Sequence, residues 1–216
     1  MLVRAPGVYR PQPDTWLLAR AMTEAALPAG AHVLDACTGT GALAIHAARR
    51  GAARVTAVDL SRAAVASAWL NSRLHGVRLE LLCGDVTRAV DGRRFDVILA
   101  NPPYVPSENP DRPRGAARSW DAGRHGRSLL DPLCTKMPQL LGAGGIALLV
   151  HSAVADPGAS LRQLRAGGLK ATVVARTVIP FGPVMRDRTG WLRTRGLIRP
   201  GQRHEELVVI RADRTR

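Results

Sequence analysis

Four apolar runs in the first half of the chain each end close to an aspartate or an asparagine. The runs at 32–36, 55–58, 77–82 and 95–100 have the length of buried strands, and stretches with helical spacing separate them. Strands that alternate with helices predict a parallel sheet with helices on both faces and right-handed crossovers. The carboxyl ends of such strands meet at one edge, where α/β folds bind their ligands. The pattern therefore predicts an α/β protein with polar side chains gathered at that edge.

The second half of the chain continues the alternation. Strand-like runs recur at 146–150, 169–178 and 206–211, and helices are predicted at 42–50, 61–74, 129–141 and 159–165. Asp14 is the expected N-cap of a helix at 13–27, and Ser61 that of the helix after the second strand. Residues 105–125, rich in Pro, Arg and Gly, predict a loop. Because 216 residues without a repeat or linker suit one domain of about 150 residues or more, we expect a single domain over 1–216.

The net charge of +14 is carried by arginine, since Lys136 and Lys170 are the only lysines. One interpretation is an electrostatic attraction to RNA, to the ribosome or to an acidic protein. The other is a proteome rich in Arg and Ala, which explains arginine in place of lysine but not the shortage of acids. Charge alone does not choose between them.

Composition also bears on location and metals. No apolar run is long enough to span a membrane, and the N-terminus lacks the apolar core of a signal peptide. We therefore expect a cytoplasmic protein without a membrane partner. Cys37, Cys83 and Cys134 are odd in number and far apart, which argues against a disulfide framework and a zinc site. We expect no metal.

The first strand runs into a turn that contains glycine, DACTGTG at residues 35–41. Gly39 and Gly41 allow the backbone to turn tightly and to approach a ligand. The dinucleotide fingerprint GxGxxG is incomplete, because Cys37, Gly39 and Ala42 stand at its positions. Such turns also serve plain structure, so this one is a weak signal by itself.

Carboxylates strengthen the signal, because Asp35, Asp59 and Asp85 lie at or after the first three strands. A carboxylate after the second strand can accept both hydroxyls of a ribose. One after the third can accept the amine of an adenine, with Leu60 and Val86 on the two faces of the ring. Asp35 lies near the place expected for an ammonium group. An isolated aspartate there is more often a helix cap, but three in register favour a nucleoside site.

The fourth run ends in NPPY at 101–104, where two prolines force the chain out of the sheet. Together with DACTGTG, AVDLS and CGDV, this motif resembles the class I S-adenosylmethionine-dependent methyltransferases. NPPY is typical of those that methylate a planar nitrogen, the HemK-type glutamine methyltransferases and the adenine N6-methyltransferases. YRPQPDTWLL and SWDAGRHGRSLLD are similar to further segments of the eukaryotic and archaeal branch of the HemK family. The resemblance spans residues 9 to about 211, apart from one insertion.

The resemblance implies a Rossmann-like fold with a seven-stranded, mostly parallel sheet, and S-adenosyl-L-methionine as cofactor. It implies N5-methylation of the glutamine in the GGQ motif of class 1 release factors. Asn101 becomes the residue shared by cofactor and substrate. The resemblance also implies a set of cofactor contacts, to which the argument about the faces of the adenine ring adds Leu60. The full set is Thr15, Asp35, Cys37, Gly39, Asp59, Leu60, Asp85, Val86 and Asn101.

Two departures from the family pattern carry expectations. Cys37 stands where the family usually has glycine, so we expect a negative φ there, at which a small side chain leaves cofactor binding intact. Asp121 and Ala122 stand where alanine and glycine are usual in the second segment. That change weakens the assignment of the substrate more than that of the chemistry.

NPPY receives a chemical role from the resemblance. A primary amide nitrogen is a poor nucleophile, because its lone pair is delocalised into the carbonyl. The side-chain oxygen of Asn101 and the backbone carbonyl of Pro102 can accept its two N–H bonds and turn the lone pair toward the sulfonium methyl. Tyr104 is expected to pack against the flat substrate group. The proton can leave after transfer, so no strong base is required.

Three other functions stay open. Adenine N6-methylation of RNA or DNA shares NPPY and suits the positive charge, but such enzymes usually add a recognition domain for which this chain has no residues to spare. Methylation of a small molecule or of another protein side chain is compatible with the departures at Asp121 and Ala122. A binding subunit or scaffold without activity would leave NPPY without a role.

Two further features predict macromolecular contacts. The third strand, with Leu79, Leu81 and Leu82, is expected at a sheet edge, which related enzymes cover with a small zinc-containing activator protein. The basic insertion at 180–203, between the last two strands, is either a solvated flap or a clamp that docks an acidic protein surface or ribosomal RNA. Trp191, Leu192, Leu197 and Ile198 are expected to pin it to the body. Its arginines are Arg186, Arg188, Arg193, Arg195, Arg199 and Arg203, against one acid, Asp187.

Overall fold

The computed structural model describes residues 1–109, 113 and 115–215, and these form a seven-stranded sheet flanked by helices. The order of strands across the sheet is β3-β2-β1-β4-β5-β7-β6. The pairs from β3 to β5 are parallel, whereas β7 is antiparallel to both β5 and β6. The prediction of a seven-stranded, mostly parallel sheet is confirmed. The strands are β1 (His32–Ala36), β2 (Arg54–Asp59), β3 (Glu80–Cys83), β4 (Phe95–Ala100), β5 (Leu141–Ser152), β6 (Lys170–Pro180) and β7 (His204–Asp213).

Helices cover both faces of the sheet, because each face carries its own apolar cluster. One cluster joins α1 and α2 to the sheet, and the other joins α4, α5 and α6. Two 3-10 helices lie at Gly115–Ser119 and Ala153–Ala155. The α-helices are α1 (Pro13–Ala25), α2 (Ala42–Arg49), α3 (Arg62–Leu74), α4 (Val86–Ala89), α5 (Leu130–Leu140), α6 (Pro157–Ala166), α7 (Pro183–Asp187) and α8 (Thr189–Thr194).

The expected helix caps had different outcomes. Ser61 caps α3 as predicted, since its hydroxyl accepts a hydrogen bond from the Ala64 N–H at 3.3 Å. The assignment of Asp14 as the N-cap of α1 is wrong, because Gln12 occupies that position and Asp14 lies within the first turn. The physical reason is Pro13, whose fixed φ and missing N–H suit the first position of a helix. The carboxylate of Asp14 is therefore free to serve another purpose.

Several boundaries differ from the expectations. β5 begins at Leu141 rather than at 146, although Gly142, Gly144 and Gly145 are poor strand formers. Gly145 is required there, because a Cβ on it would lie 3.0 Å from the carbonyl oxygen of Phe95 on the neighbouring strand. The short helices α4, α7 and α8 were not predicted. Of the predicted loop 105–125, residues 110–112 and 114 lie outside the described residues.

The edge of the sheet and the insertion agree with the sequence. β3 lies at the end of the strand order, as predicted, although it is shorter than 77–82. The insertion folds as α7 and α8, and its apolar residues Leu192 and Ile198 are buried with Val105 in a third cluster. Across the described ranges, the structure contains no helix long and apolar enough to cross a membrane.

Candidate active site

A cavity of about 480 Å³ lies at the carboxyl ends of the parallel strands. Its walls come from six parts of the chain: the N-terminal segment and α1, the turn after β1 with the start of α2, the end of β2 with the start of α3, the NPPY motif, the segment 115–129, and the insertion with the start of β7. Among the described lining residues, the charged side chains are three acids, Asp14, Asp59 and Glu205, and one base, Arg118. The cavity is thus acidic in a chain whose net charge is +14.

The turn after β1 has the left-handed backbone that its glycines suggest, with φ of 55° at Gly39 and 81° at Gly41. A Cβ on Gly41 would lie 3.1 Å from the Cβ of Ala68, so the turn also needs glycine for its contact with α3. The expectation for Cys37 is wrong. Its φ is +63°, in the region that favours glycine, so the thiol occupies a strained position instead of a relaxed one. Burial, and then the carboxylates of three neighbouring aspartates, raise the pKa of this thiol well above its ordinary value.

Asp59 forms the floor of the cavity beside that turn. Its two carboxylate oxygens accept hydrogen bonds from the backbone N–H groups of Gly39 and Ser61, both at 2.9 Å. These bonds hold the carboxylate in place, and each oxygen keeps a further lone pair for a ligand. Burial raises the pKa of Asp59, and the backbone hydrogen bonds act in the opposite direction. Next to it, Leu60 lines the cavity and is 63% exposed, an unusual state for a leucine.

Asp35 lies behind the wall of the cavity and is completely buried. One of its oxygens accepts from the Thr38 hydroxyl at 2.6 Å and from the Ala44 N–H at 3.0 Å. The other, Oδ1, has no hydrogen-bond partner among the described residues. Burial therefore raises the pKa of Asp35 to about 7, against the effect of the two hydrogen bonds.

Asp85 and Val86 do not line this cavity. Asp85 is the N-cap of α4, because its Oδ1 accepts from the Thr87 N–H at 2.8 Å and from the Thr87 hydroxyl at 2.6 Å. Val86 is 4% exposed and packs in the core. In this conformation, Asp85 therefore acts as a helix cap. Contact of Asp85 or Val86 with an adenine stays a prediction.

NPPY brings an amide and a carbonyl to the cavity. Asn101 is half-buried, Pro102 is buried, and both line the cavity. The side-chain Nδ2 of Asn101 donates to the Thr15 hydroxyl at 3.3 Å. Gly126, from the segment 119–131, packs behind the motif so closely that a Cβ there would lie only 2.3 Å from the carbonyl oxygen of Tyr104.

The carboxylate of Asp14 is the centre of a hydrogen-bond cluster that the sequence did not reveal. Asp14 is 2% exposed, and its Oδ2 accepts from the hydroxyls of Tyr9 at 2.7 Å and Tyr104 at 3.1 Å. Its Oδ1 accepts from the Thr15 N–H at 2.6 Å and the Thr15 hydroxyl at 3.1 Å. Burial and the nearby carboxylate raise the pKa of both tyrosines, which therefore stay neutral donors. The expectation that the Tyr104 ring packs against the substrate stays a prediction.

Glu205, at the start of β7, was also missed. It lines the cavity, is 6% exposed, and its Oε2 has no hydrogen-bond partner in the described part of the chain. Burial raises its pKa, the Ser152 hydroxyl opposes that effect, and the Asp14 carboxylate adds to it. The only signal in the sequence was an acid at the boundary of the basic insertion.

The insertion closes one side of the cavity and is fastened to the body. Arg188 donates to the carboxylate of Asp121 at 2.5 Å and to the backbone carbonyl of Pro106 at 2.9 Å. The two partners have 24% and 10% exposed side chains, so the ion pair is largely shielded from water. The unusual acid at 121 is thus matched by a base from the insertion. Through this attachment, Pro183 and Met185 become part of the cavity wall.

The sequence of this chain is similar to those of known proteins. The family model described as "Methyltransferase small domain" matches residues 2–112. A protein of Methanocaldococcus jannaschii, which carries the provisional name protein N5-glutamine methyltransferase, is 31% identical over 181 residues, 83% of this chain and 90% of that one. The release factor glutamine methyltransferase of Mycolicibacterium smegmatis is 35% identical over 156 residues, 68% of this chain. This chain spans 54% of that relative's length.

A solved structure shares the fold over nearly the whole length. It is the E. cuniculi Mtq2–Trm112 complex, described as responsible for methylation of the translation termination factor eRF1. The TM-score is 0.62 at 22% identity, and the match covers 97% of this chain and 99% of that one. At this identity, the similarity supports the architecture and does not transfer the activity.

Proposed function

The chain belongs to the methyltransferase small domain family and is therefore an S-adenosylmethionine-dependent methyltransferase. On that premise, we propose that it methylates the N5 nitrogen of a glutamine in a translation release factor. The observation that supports this substrate most directly is the orientation of Asn101. Its Nδ2 is engaged by Thr15, so its Oδ1 is the atom left to accept from a substrate N–H. A primary amide offers two such donors on a planar nitrogen.

The residues of the cavity fit the cofactor. S-adenosylmethionine supplies an electrophilic methyl group on a positively charged sulfur. Three acids and a single base face the cavity, which favours a cationic ligand, and the fixed carboxylate of Asp59 can accept ribose hydroxyls. We assign the cofactor to six residues that line the cavity, Thr15, Cys37, Gly39, Asp59, Leu60 and Asn101, and, as the resemblance implies, to Asp35, Asp85 and Val86, which do not line it in this conformation.

For the reaction, the chain positions the acceptor nitrogen. Asn101 Oδ1 and the carbonyl oxygen of Pro102 hold its two N–H groups, and the lone pair then points out of the amide plane. Both acceptors carry partial negative charge, which favours the positive charge that develops on nitrogen. Two prolines keep the turn rigid without adding donors that would compete.

The acidic cavity also bears on the alternative of adenine N6-methylation of RNA or DNA. An adenine base is neutral and could enter, but its flanking phosphates would approach a cavity whose described lining carries three acids against one base. A glutamine flanked by glycines brings no charge. The positively charged outer surface then faces the rest of a macromolecular substrate or the ribosome. Action on a release factor would place the protein in the cytoplasm.

A partner protein at β3 is part of the proposal. β3 pairs only with β2 among the described strands. Beside it, α3 leaves Trp69 52% and Leu74 62% exposed. An open strand edge next to apolar side chains suits strand addition by a small zinc-containing activator protein. A monomeric isolated chain with full activity would contradict this part.

The test of the activity compares acceptors. The protein is incubated with labelled S-adenosylmethionine and a class 1 release factor, a release factor with Gln→Leu in its GGQ motif, or bulk tRNA. We expect label only in the first, with mass spectrometry placing the methyl group on the GGQ glutamine. Equal labelling of the Gln→Leu release factor, or labelling of tRNA alone, would refute the proposal.

A further inference from the structure

We propose that Asp14 is a positioning residue of the methyl-transfer site, which fixes the side-chain amide of Asn101 through the hydroxyl of Thr15. The inference rests on the proposed function, because it explains how Asn101 comes to present an acceptor to the substrate. Asp14 is separated from the reacting atoms by Thr15 and Asn101, so it does not act on them directly. It acts by setting the direction of each hydrogen bond between itself and Asn101.

A continuous chain of hydrogen bonds joins the three residues. Asp14 Oδ1 and Thr15 Oγ1 are 3.1 Å apart, and Thr15 Oγ1 and Asn101 Nδ2 are 3.3 Å apart. Asp14 is buried, so water does not replace these contacts. The link crosses a long stretch of sequence, from the first turn of α1 to the end of β4.

The direction of the chain follows from the chemistry of its first member. A carboxylate can only accept, so the Thr15 hydroxyl must give its single proton to Asp14. Thr15 Oγ1 is then left with lone pairs and can only accept from Asn101. The amide of Asn101 must therefore turn its NH₂ toward Thr15 and its Oδ1 toward the cavity. With a neutral amide at position 14, the hydroxyl could reverse and the Asn101 amide could rotate, which would present a donor to the substrate.

Two phenols hold the carboxylate in place. Tyr9 comes from the N-terminal segment and Tyr104 from NPPY itself, and both donate to Asp14 Oδ2. The Asp14 carboxylate thus accepts four hydrogen bonds from protein groups, and these bonds leave it little freedom to rotate. The tyrosine of NPPY is thereby coupled to the same carboxylate as its asparagine.

The experiment compares Thr15→Val with Thr15→Ser, because valine removes the hydroxyl at constant shape and serine keeps it. For each, the kcat and KM for a GGQ release factor are measured, together with the Kd for S-adenosylhomocysteine. The exchange rate of the Asn101 side-chain NH₂ is read by NMR. We expect Thr15→Val to lower kcat by about 10- to 100-fold and to speed NH₂ exchange, with a much smaller rise in Kd from the lost cofactor contact. Thr15→Ser should stay within about threefold of the parent.

An unchanged kcat in Thr15→Val, or a loss expressed only as a weaker Kd, would overturn the inference, the latter because Thr15 would then serve the cofactor alone and would not orient Asn101. If Thr15→Val does not fold, Asp14→Asn replaces it, with the same expected loss of kcat. If the parent does not methylate a release factor, the proposed function fails. The NH₂ exchange of Asn101 in the parent and the variant still decides the positioning role.

Discussion

Replacing Asp35 with asparagine should flatten the dependence of the free energy of unfolding on pH. In the unfolded chain this carboxyl ionises near its ordinary pKa of 3.8, and in the fold burial raises its pKa to about 7. Between these values the folded protein keeps a proton that the unfolded chain has released, so stability falls as pH rises. The loss is complete once pH exceeds about 7.

The magnitude follows from the same two values. At about 1.4 kcal/mol for each unit of pKa, the interval from 3.8 to about 7 corresponds to up to about 4 kcal/mol. The asparagine does not titrate, but it places an NH₂ group where Asp35 Oδ1 lacks a partner, at a pH-independent cost of about 1–3 kcal/mol. The variant should therefore be less stable than the parent at about pH 4 and at least as stable at about pH 8.

Urea unfolding at a series of pH values and constant ionic strength, followed by tryptophan fluorescence, measures both proteins. The matched control is Asp91→Asn. Asp91 is exposed, and its hydrogen bond and ion pair with Lys136 lower its pKa, so it does not titrate in the pH range in which Asp35 is expected to titrate. The control should run parallel to the parent above about pH 5. Parallel curves for Asp35→Asn as well would refute the reasoning, because the buried carboxyl would then not titrate between these values.

Three further substitutions, one with a matched control, test the cofactor contact, the NPPY motif and the insertion. Asp59→Ala should weaken cofactor binding by about 2 kcal/mol, which calorimetry would measure as a roughly 30-fold rise in Kd. The reason is the loss of a charged acceptor for ribose hydroxyls, and an unchanged Kd in a folded variant would argue against that contact. Asn101→Ala should lower kcat by at least about 100-fold with an unchanged circular dichroism spectrum, and a variant that keeps most of its turnover would reduce NPPY to a turn. Arg193→Ser should raise KM for the release factor about two- to threefold and weaken its salt dependence, whereas Arg49→Ser, which removes an exposed charge from the end of α2, should not. Equal effects of the two arginine variants would leave the insertion without a docking role.

The outline of this protein could be predicted from the sequence because its signals are local. Apolar periodicity reports strands and helices, and parallel strands must end at one edge, so acids and amides at strand ends predict a shared site. Thr15, Cys37, Gly39, Asp59, Leu60, Asn101, Pro102 and Tyr104 were predicted in this way or by resemblance, and all line the cavity.

What the sequence could not provide depends on contacts between distant residues. The reversal of β7 relative to β5 leaves no mark in its apolar pattern, and it is this reversal that brings Glu205 to the cavity. Asp14 looked like a helix cap because caps are local, whereas its actual partner Tyr104 lies 90 positions away.

Local propensity also misled where packing overrides it. Cys37 adopts a glycine-like φ of +63°, which its side chain disfavours, so the turn after β1 holds a strained residue. For the insertion, the sequence left a flap and a clamp open and predicted apolar residues that pin it; only the structure shows the pair of Arg188 with Asp121 that fastens it beside buried Leu192. The sequence by itself determined the strands, the turn and the place of NPPY at the end of β4, since each is written in adjacent residues. Only the tertiary structure decided which way the Asn101 amide points, because that depends on a carboxylate, a hydroxyl and an amide that meet only in the folded chain.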